Sequence, residues 1–141
     1  MTEKPARPAD FTLSVRATDQ DVPRVHAWVQ QAADTIGLDE SVVFALQLCL
    51  EEAVSNIARH SEGPALPVNL CLHAAPGRLT LRVEDPGRPF DPTQVAAPPV
   101  PQTLEEAEIG GLGIHLIRQF SSGQAYERVD GVNRLALYFD A

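Results

Sequence analysis

Residues 48–61 read LCLEEAVSNIARHS, a helix-forming run in which Glu52, Asn56 and His60 recur at four-residue steps among apolar side chains. Residues four apart lie on one helix face, offset by about 40°. Extended back to Asp39 and Glu40, the helix carries VVFALQLCLEEAVSNIARH, with Val42, Leu46, Cys49, Ala53 and Ile57 on one apolar stripe. Glu52 and Asn56 fall at the edge of that stripe. A polar row beside a core-facing stripe can be a partly exposed helix edge making ordinary i,i+4 contacts. It can also be a metal site built from Glu52 and His60, but ligands on one helix usually sit a single turn apart. A third use has Glu52 accepting a proton or a water while the Asn56 amide oxygen, a hard neutral donor, ligates Mg2+.

Upstream, FTLSVRA (11–17) alternates like a half-buried strand. Asp19 or Asp21 is placed to cap a helix that runs through Val25, Trp28 and Ile36 and stops at Gly37. Downstream, VNLCLHA (68–74) and RLTLRVED (78–85) alternate at period two around AAPG, a hairpin pattern. Next comes PGRPFDPTQVAAPPVPQTLEEAEI, with six prolines from Pro86 to Pro101, and then GGLGIHLIRQF, a glycine cluster opening an apolar helix. QAYERV and RLALYF, joined at Asp130-Gly131, form a last strand pair. This order predicts an α+β fold: a two-layer sandwich whose mixed, mostly antiparallel sheet is covered on one face by helices. Residues 1–10 read as a flexible tail and 11–141 as one domain. The proline-rich loop, too long for a plain connection, reads as a lid over about 88–109.

The chain has 141 residues, an apolar share of 44% and a formal net charge of −8. Such acidity argues against a broad nucleic-acid face, which needs clustered Lys and Arg, but leaves room for one nucleotide held by backbone N–H groups and a cation. The start MTEKPARPADF has no apolar signal core, and no apolar run approaches the length of a membrane span. Cys49 and Cys71 lie in apolar stretches and are expected to be free thiols acting as small hydrophobes. A cytoplasmic address is the expectation.

Two further stretches carry chemistry. In VEDPGRPFDP (83–92) a strand ends at Asp85, followed by Gly87. That is either an ordinary Asp-Pro-Gly turn or a carboxylate set to accept from an exocyclic amine beside a glycine that admits a flat ligand. In the third stretch, Gly110, Gly111 and Gly113 precede a helix whose unpaired N–H groups suit phosphates, or else they form a hinge packed close to a strand.

Taken together, E-x-x-x-N on a helix, D-x-G after a strand and G-x-G before a helix resemble the N, G1 and G2 boxes of the GHKL ATP-binding fold. EEAVSN, GRPFDP and GGLGIHLI carry the resemblance, which spans nearly the whole chain. It is strongest to the stand-alone anti-sigma-factor serine/threonine kinases of the RsbW and SpoIIAB type. The resemblance implies ATP and Mg2+ as cofactors, with Glu52 as general base and Asn56 as the metal ligand. It implies that Asp85 and Gly87 receive adenine. Gly110, Gly111, Leu112, Gly113 and Ile114, with their helix terminus, would cradle the phosphates. The partners it implies are a sigma factor and a STAS-domain anti-anti-sigma factor, in a homodimeric, bacterial, cytoplasmic protein.

One departure stands out. No Lys or Arg occurs between Arg88 and Arg118, so the lid brings no cation to the phosphates, and Arg59 is the nearest candidate to compensate. That departure keeps a second reading open, a nucleotide-binding regulatory module that sequesters a partner and transfers nothing.

Overall fold

Period-two alternation in the strands sends the large aliphatic side chains to one sheet face. The computed structural model describes residues 9–60, 65–94 and 113–141. In order these form β1 (Ala9–Arg16), α1 (Val22–Ile36), α2 (Glu40–His60), β2 (Pro67–Ala75), β3 (Arg78–Asp85), α3 (Gly113–Phe120), β4 (Gly123–Val129) and β5 (Val132–Asp140). A short 3-10 turn, Asp19–Asp21, leads into α1.

The strands lie in the order β1-β2-β3-β5-β4. All four pairings are antiparallel, so the sheet is antiparallel throughout rather than mixed. The cause is the last hairpin. Among the described residues β4 pairs only with β5, and β5 returns between β4 and β3, which reverses its direction relative to β3. At its turn Asp130 and Gly131 have φ of 51° and 79°, the left-handed pair that a two-residue hairpin loop requires.

Cross-strand registers align two apolar rows, Leu13–Leu70–Val83–Leu135 and Phe11–Leu72–Leu81–Leu137. Leu72, Leu81 and Leu137 are fully buried. They meet Val29 and Ala32 of α1 and Leu46, Cys49, Leu50 and Ala53 of α2 in one core. Each fully buried leucine contributes roughly 1.5–3 kcal/mol relative to an exposed one, so these rows, more than the turns, hold the layers together. The opposite sheet face is polar. Arg134 there lies 3.5 Å from Glu84 and 3.6 Å from Glu127, and Arg78 stacks over Tyr138.

Three expectations change. Asp21 precedes α1 but does not cap it with its side chain; its Oδ2 instead accepts from the Arg16 N–H at 2.7 Å, tying the helix start back to β1. Ala9 and Asp10 belong to β1 rather than to the tail. And α2, at 21 residues, is long and apolar enough by composition to cross a membrane, although Glu51 and Glu52 interrupt any unbroken apolar run. Its apolar stripe is packed on the sheet. Cys49 faces that core and Cys71 the opposite sheet face, and both are free thiols. Burial, aided by Glu52, pushes the Cys49 thiol up to about 12, consistent with a small hydrophobe. Residues 1–8, the part of the expected lid beyond Gln94, and Gly110, Gly111 and Leu112 lie outside the described residues.

Candidate active site

Along β3 the buried phase runs Leu79, Leu81, Val83 and then Asp85. A carboxylate therefore takes a position where the alternation calls for an apolar side chain, and Asp85 is only 7% exposed. Burying a carboxylate is tolerated only with hydrogen-bond partners. Asp85 Oδ2 accepts from the Gly87 N–H at 2.9 Å and from Asn133 Nδ2 at 3.2 Å. Both bonds fall on Oδ2, which leaves Oδ1 available to a ligand.

Asn133 is the direct cross-strand partner of Asp85 on β5 and again sits in the buried phase, ahead of Leu135, Leu137 and Phe139. Its Nδ2 also donates to the Arg88 carbonyl at 2.7 Å. Its Oδ1 accepts from the Tyr126 hydroxyl and from Arg128 Nη1, so the amide's hydrogen-bonding capacity is used. Arg128 donates to the Gly87 carbonyl as well, at 2.8 Å. The turn after β3 is thus pinned from β4 and β5. On its other side Arg88 donates to the His60 carbonyl at the end of α2, and Phe90 stacks on the His60 ring, centroids 3.9 Å apart.

Gly87 has no room for a side chain. A Cβ there would sit 2.7 Å from Asp85 Oδ2 and 2.9 Å from Leu66 Cδ1. Backbone and carboxylate together line a cleft whose floor is Val83 and Leu135 and whose α2 side includes Asn56, Ile57 and His60. A mostly apolar cleft with a buried carboxylate in its wall fits a heterocycle that carries an amine.

Asn56 is 6% exposed and lines this cleft. Its Oδ1 accepts from Arg59 Nη2, while its Nδ2 is buried with no hydrogen-bond partner. Unlike the saturated Asn133, Asn56 has a donor waiting for an acceptor. As for a cation, the described residues hold no group of three or more His, Cys, Asp or Glu that could bind one. Mg2+, however, commonly takes one or two protein ligands and completes its shell with phosphate and water. Asn56 suits that sparse role once its oxygen is released.

Glu52 and Arg59 do not line the Asp85 cleft. They line an adjoining groove between α2 and the start of α1, with Thr18, Val22 and Ser55. Burial raises the Glu52 pKa, the Arg59 guanidinium partly offsets this, and Glu51 adds to the rise. His60 is shifted the other way, lowered by burial and by Arg59 and Arg88. The structure therefore brings Asn56, Asp85 and Gly87 together and sets Glu52 and Arg59 next door. Gly113 begins α3, as the glycine cluster implied, with Ile114 following it in the first turn.

The chain belongs to the histidine kinase-like ATPase domain family, whose model matches residues 15–139. It is 33% identical over 128 residues to the serine/threonine-protein kinase BtrW of Bordetella bronchiseptica, covering 89% of this chain and 90% of that protein. Its fold is similar to a crystal structure of the RsbU and RsbW domains of Rv1364c from Mycobacterium tuberculosis, with a TM-score of 0.61 at 19% identity. That likeness covers 96% of this chain and 33% of the other, so this chain spans about a third of the solved one.

Sequence reading missed Asn133, Tyr126 and Arg128. One signal was present: VNRLALYF puts a polar Asn133 in phase with Leu135, Leu137 and Phe139, which marks a buried polar group in need of a partner.

Two outcomes follow from this geometry. Gly87→Ala is expected to lower stability by about 1–3 kcal/mol, because the carboxylate or Leu66 must move; urea unfolding indistinguishable from wild type would show that the close approach is not a constraint. For Glu52, a folded pKa above the ordinary carboxylate value means its stabilising contribution is complete below that ordinary value and is lost as pH rises through the raised one. Glu52→Gln should therefore melt higher than wild type at neutral pH, with the gap closing on acidification. A difference in Tm that does not change with pH would contradict the shift.

Proposed function

We propose that this chain is an ATP-dependent serine/threonine protein kinase of the anti-sigma-factor type. The observation that carries the proposal is the buried Asp85, with one oxygen free for a ligand, beside a Gly87 that admits no Cβ and in one cleft with an Asn56 that has an unpaired donor. An amine-bearing base reaches Asp85 Oδ1, and the closely approached backbone at Gly87 fixes its plane. Asn56 faces the phosphate side. Gly110, Gly111 and Leu112 and the start of α3 at Gly113 and Ile114 supply N–H groups to the phosphates, with residues 88–109 as the lid. Asn56 is the residue that would hold Mg2+, which when bound would supply charge neutralisation at the phosphates.

Glu52 is the residue that receives the proton of the incoming hydroxyl, reached from the groove it lines. Its raised pKa makes it a better base than a solvated carboxylate. Phosphoryl transfer needs mainly positioning and charge neutralisation, so so small a set of groups suffices. The kinase named among its relatives supports transfer to a protein hydroxyl. By the resemblance, the acceptor is a STAS-domain anti-anti-sigma factor, the sequestered partner is a sigma factor, and the protein works as a cytoplasmic homodimer.

A second reading, nucleotide binding without transfer, is favoured by two observations: Glu52 lines a groove adjoining the Asp85 cleft rather than the cleft itself, and 89–117 contains no Lys or Arg. One experiment separates the two. Wild type, Asp85→Asn and Glu52→Ala are melted with and without Mg-ATP, then incubated with labelled ATP and STAS-domain proteins encoded beside the gene. The kinase reading expects a thermal shift that Asp85→Asn reduces and Glu52→Ala keeps, with label transfer lost about a hundredfold or more in Glu52→Ala. Nucleotide stabilisation without labelling of any such partner supports the binding module, and no stabilisation at all removes the nucleotide site.

A further inference from the structure

The amide oxygen of Asn56 is the atom that a divalent cation would need, and the Arg59 guanidinium already holds it. Asn56 and Arg59 sit three residues apart on α2, a spacing that stacks side chains on one helix face, so this contact is local to the helix. The charge of Arg59 also bears on Glu52, where it opposes the rise caused by burial. Arg59 therefore touches the cation-ligand candidate and acts electrostatically on the base candidate, reaching from an exposed position on the groove to a buried oxygen.

Two further observations point the same way. Asn56 Nδ2 is buried without a partner, so the amide is half satisfied by the protein and oriented with its donor unspent. A ligand acceptor, such as a phosphate oxygen, completes it at no cost to the Arg59 bond. Second, with no Lys or Arg in 89–117, that segment offers no rival cation. A guanidinium is always charged and binds phosphate oxygens in fork geometry, which makes it a workable stand-in for a metal ion at that place.

We propose that Arg59 is a resident occupant of the cation position. Its guanidinium holds the Asn56 oxygen and sets positive charge against the nucleotide's phosphates, and it must leave that oxygen before a divalent cation can bind there. The inference rests on the nucleotide-site reading above. It makes nucleotide binding partly independent of divalent cation, and it makes Arg59 and the cation alternatives at one oxygen.

The test is calorimetric titration of ADP into the full chain in excess EDTA and in excess MgCl2, for wild type, Arg59→Ala, Arg59→Lys and Asp85→Asn. The expected wild type binds in EDTA within about tenfold of its affinity in MgCl2. Arg59→Ala should lose about tenfold or more in EDTA, yet keep or improve its affinity in MgCl2, so that its MgCl2-to-EDTA ratio widens. Arg59→Lys, which keeps the charge without the fork, falls between. A ratio unchanged by Arg59→Ala, whether affinity drops equally in both conditions or in neither, overturns the proposal. Asp85→Asn separates this failure from that of the site: it should weaken ADP in both conditions alike. Wild type that binds ADP in neither condition overturns the nucleotide reading and this inference with it.

Discussion

A carboxylate buried at the end of a strand has to be hydrogen-bonded where it lies, and the region around Asp85 is arranged to do that. Asn133, directly across the sheet on β5, donates to Asp85 and to the backbone of the turn that follows. That turn gives back the Gly87 N–H. Tyr126 and Arg128 of β4 then saturate the Asn133 oxygen. This chain of partners exists only because β5 lies between β3 and β4. The antiparallel return of the last hairpin is therefore what converts an ordinary strand end into a fixed acceptor. An unsatisfied group in such a place would cost on the order of 1–3 kcal/mol; Asp85 Oδ2 is satisfied by its two donors, while Oδ1 is left to a ligand.

The two asparagines show how the same side chain serves different ends. Asn133 uses all its hydrogen-bonding capacity inside the protein and fixes geometry. Asn56 is equally buried, yet its Nδ2 has no partner and its oxygen is held by a long, exposed arginine. Fully satisfied buried polar groups make a unique arrangement, and partly satisfied ones mark where a ligand is expected. The cleft between these two residues combines a rigid, hydrogen-bonded end at Asp85 and Asn133 with an incompletely bonded side at Asn56. Glu52 lies outside it, in the adjoining groove; if it is the base of the proposed kinase, the incoming hydroxyl approaches from that groove.

Much of the architecture was legible from period alone. The alternation of 68–74 and 78–85, the stripe on α2 and the Asp130-Gly131 turn each fix a local conformation, and the elements follow within a residue or two. Strand order was not legible, because local period says nothing about which strand lies beside which, and so a mixed sheet was expected where an antiparallel one forms. Asp85, Gly87 and Asn56 were legible as a constellation through their resemblance to a known one. Asn133 was missed although it breaks the apolar phase of β5, because one polar residue near a turn reads equally well as the turn's edge. The offset between Glu52 and Asn56, about 40° on the wheel, looked small in sequence, yet it is enough to put them on different grooves.

The central claim is that Asp85 Oδ1 is an acceptor for an exocyclic amine. The direct measurement is the affinity of wild type for ADP against IDP, which carries a carbonyl oxygen in place of that amine. A site built around a buried acceptor should reject IDP by about tenfold or more, since two acceptors would be forced together without a proton between them. Equal affinity for ADP and IDP would contradict the account, because the Asp85–Asn133 arrangement would then hold the turn without reading the base.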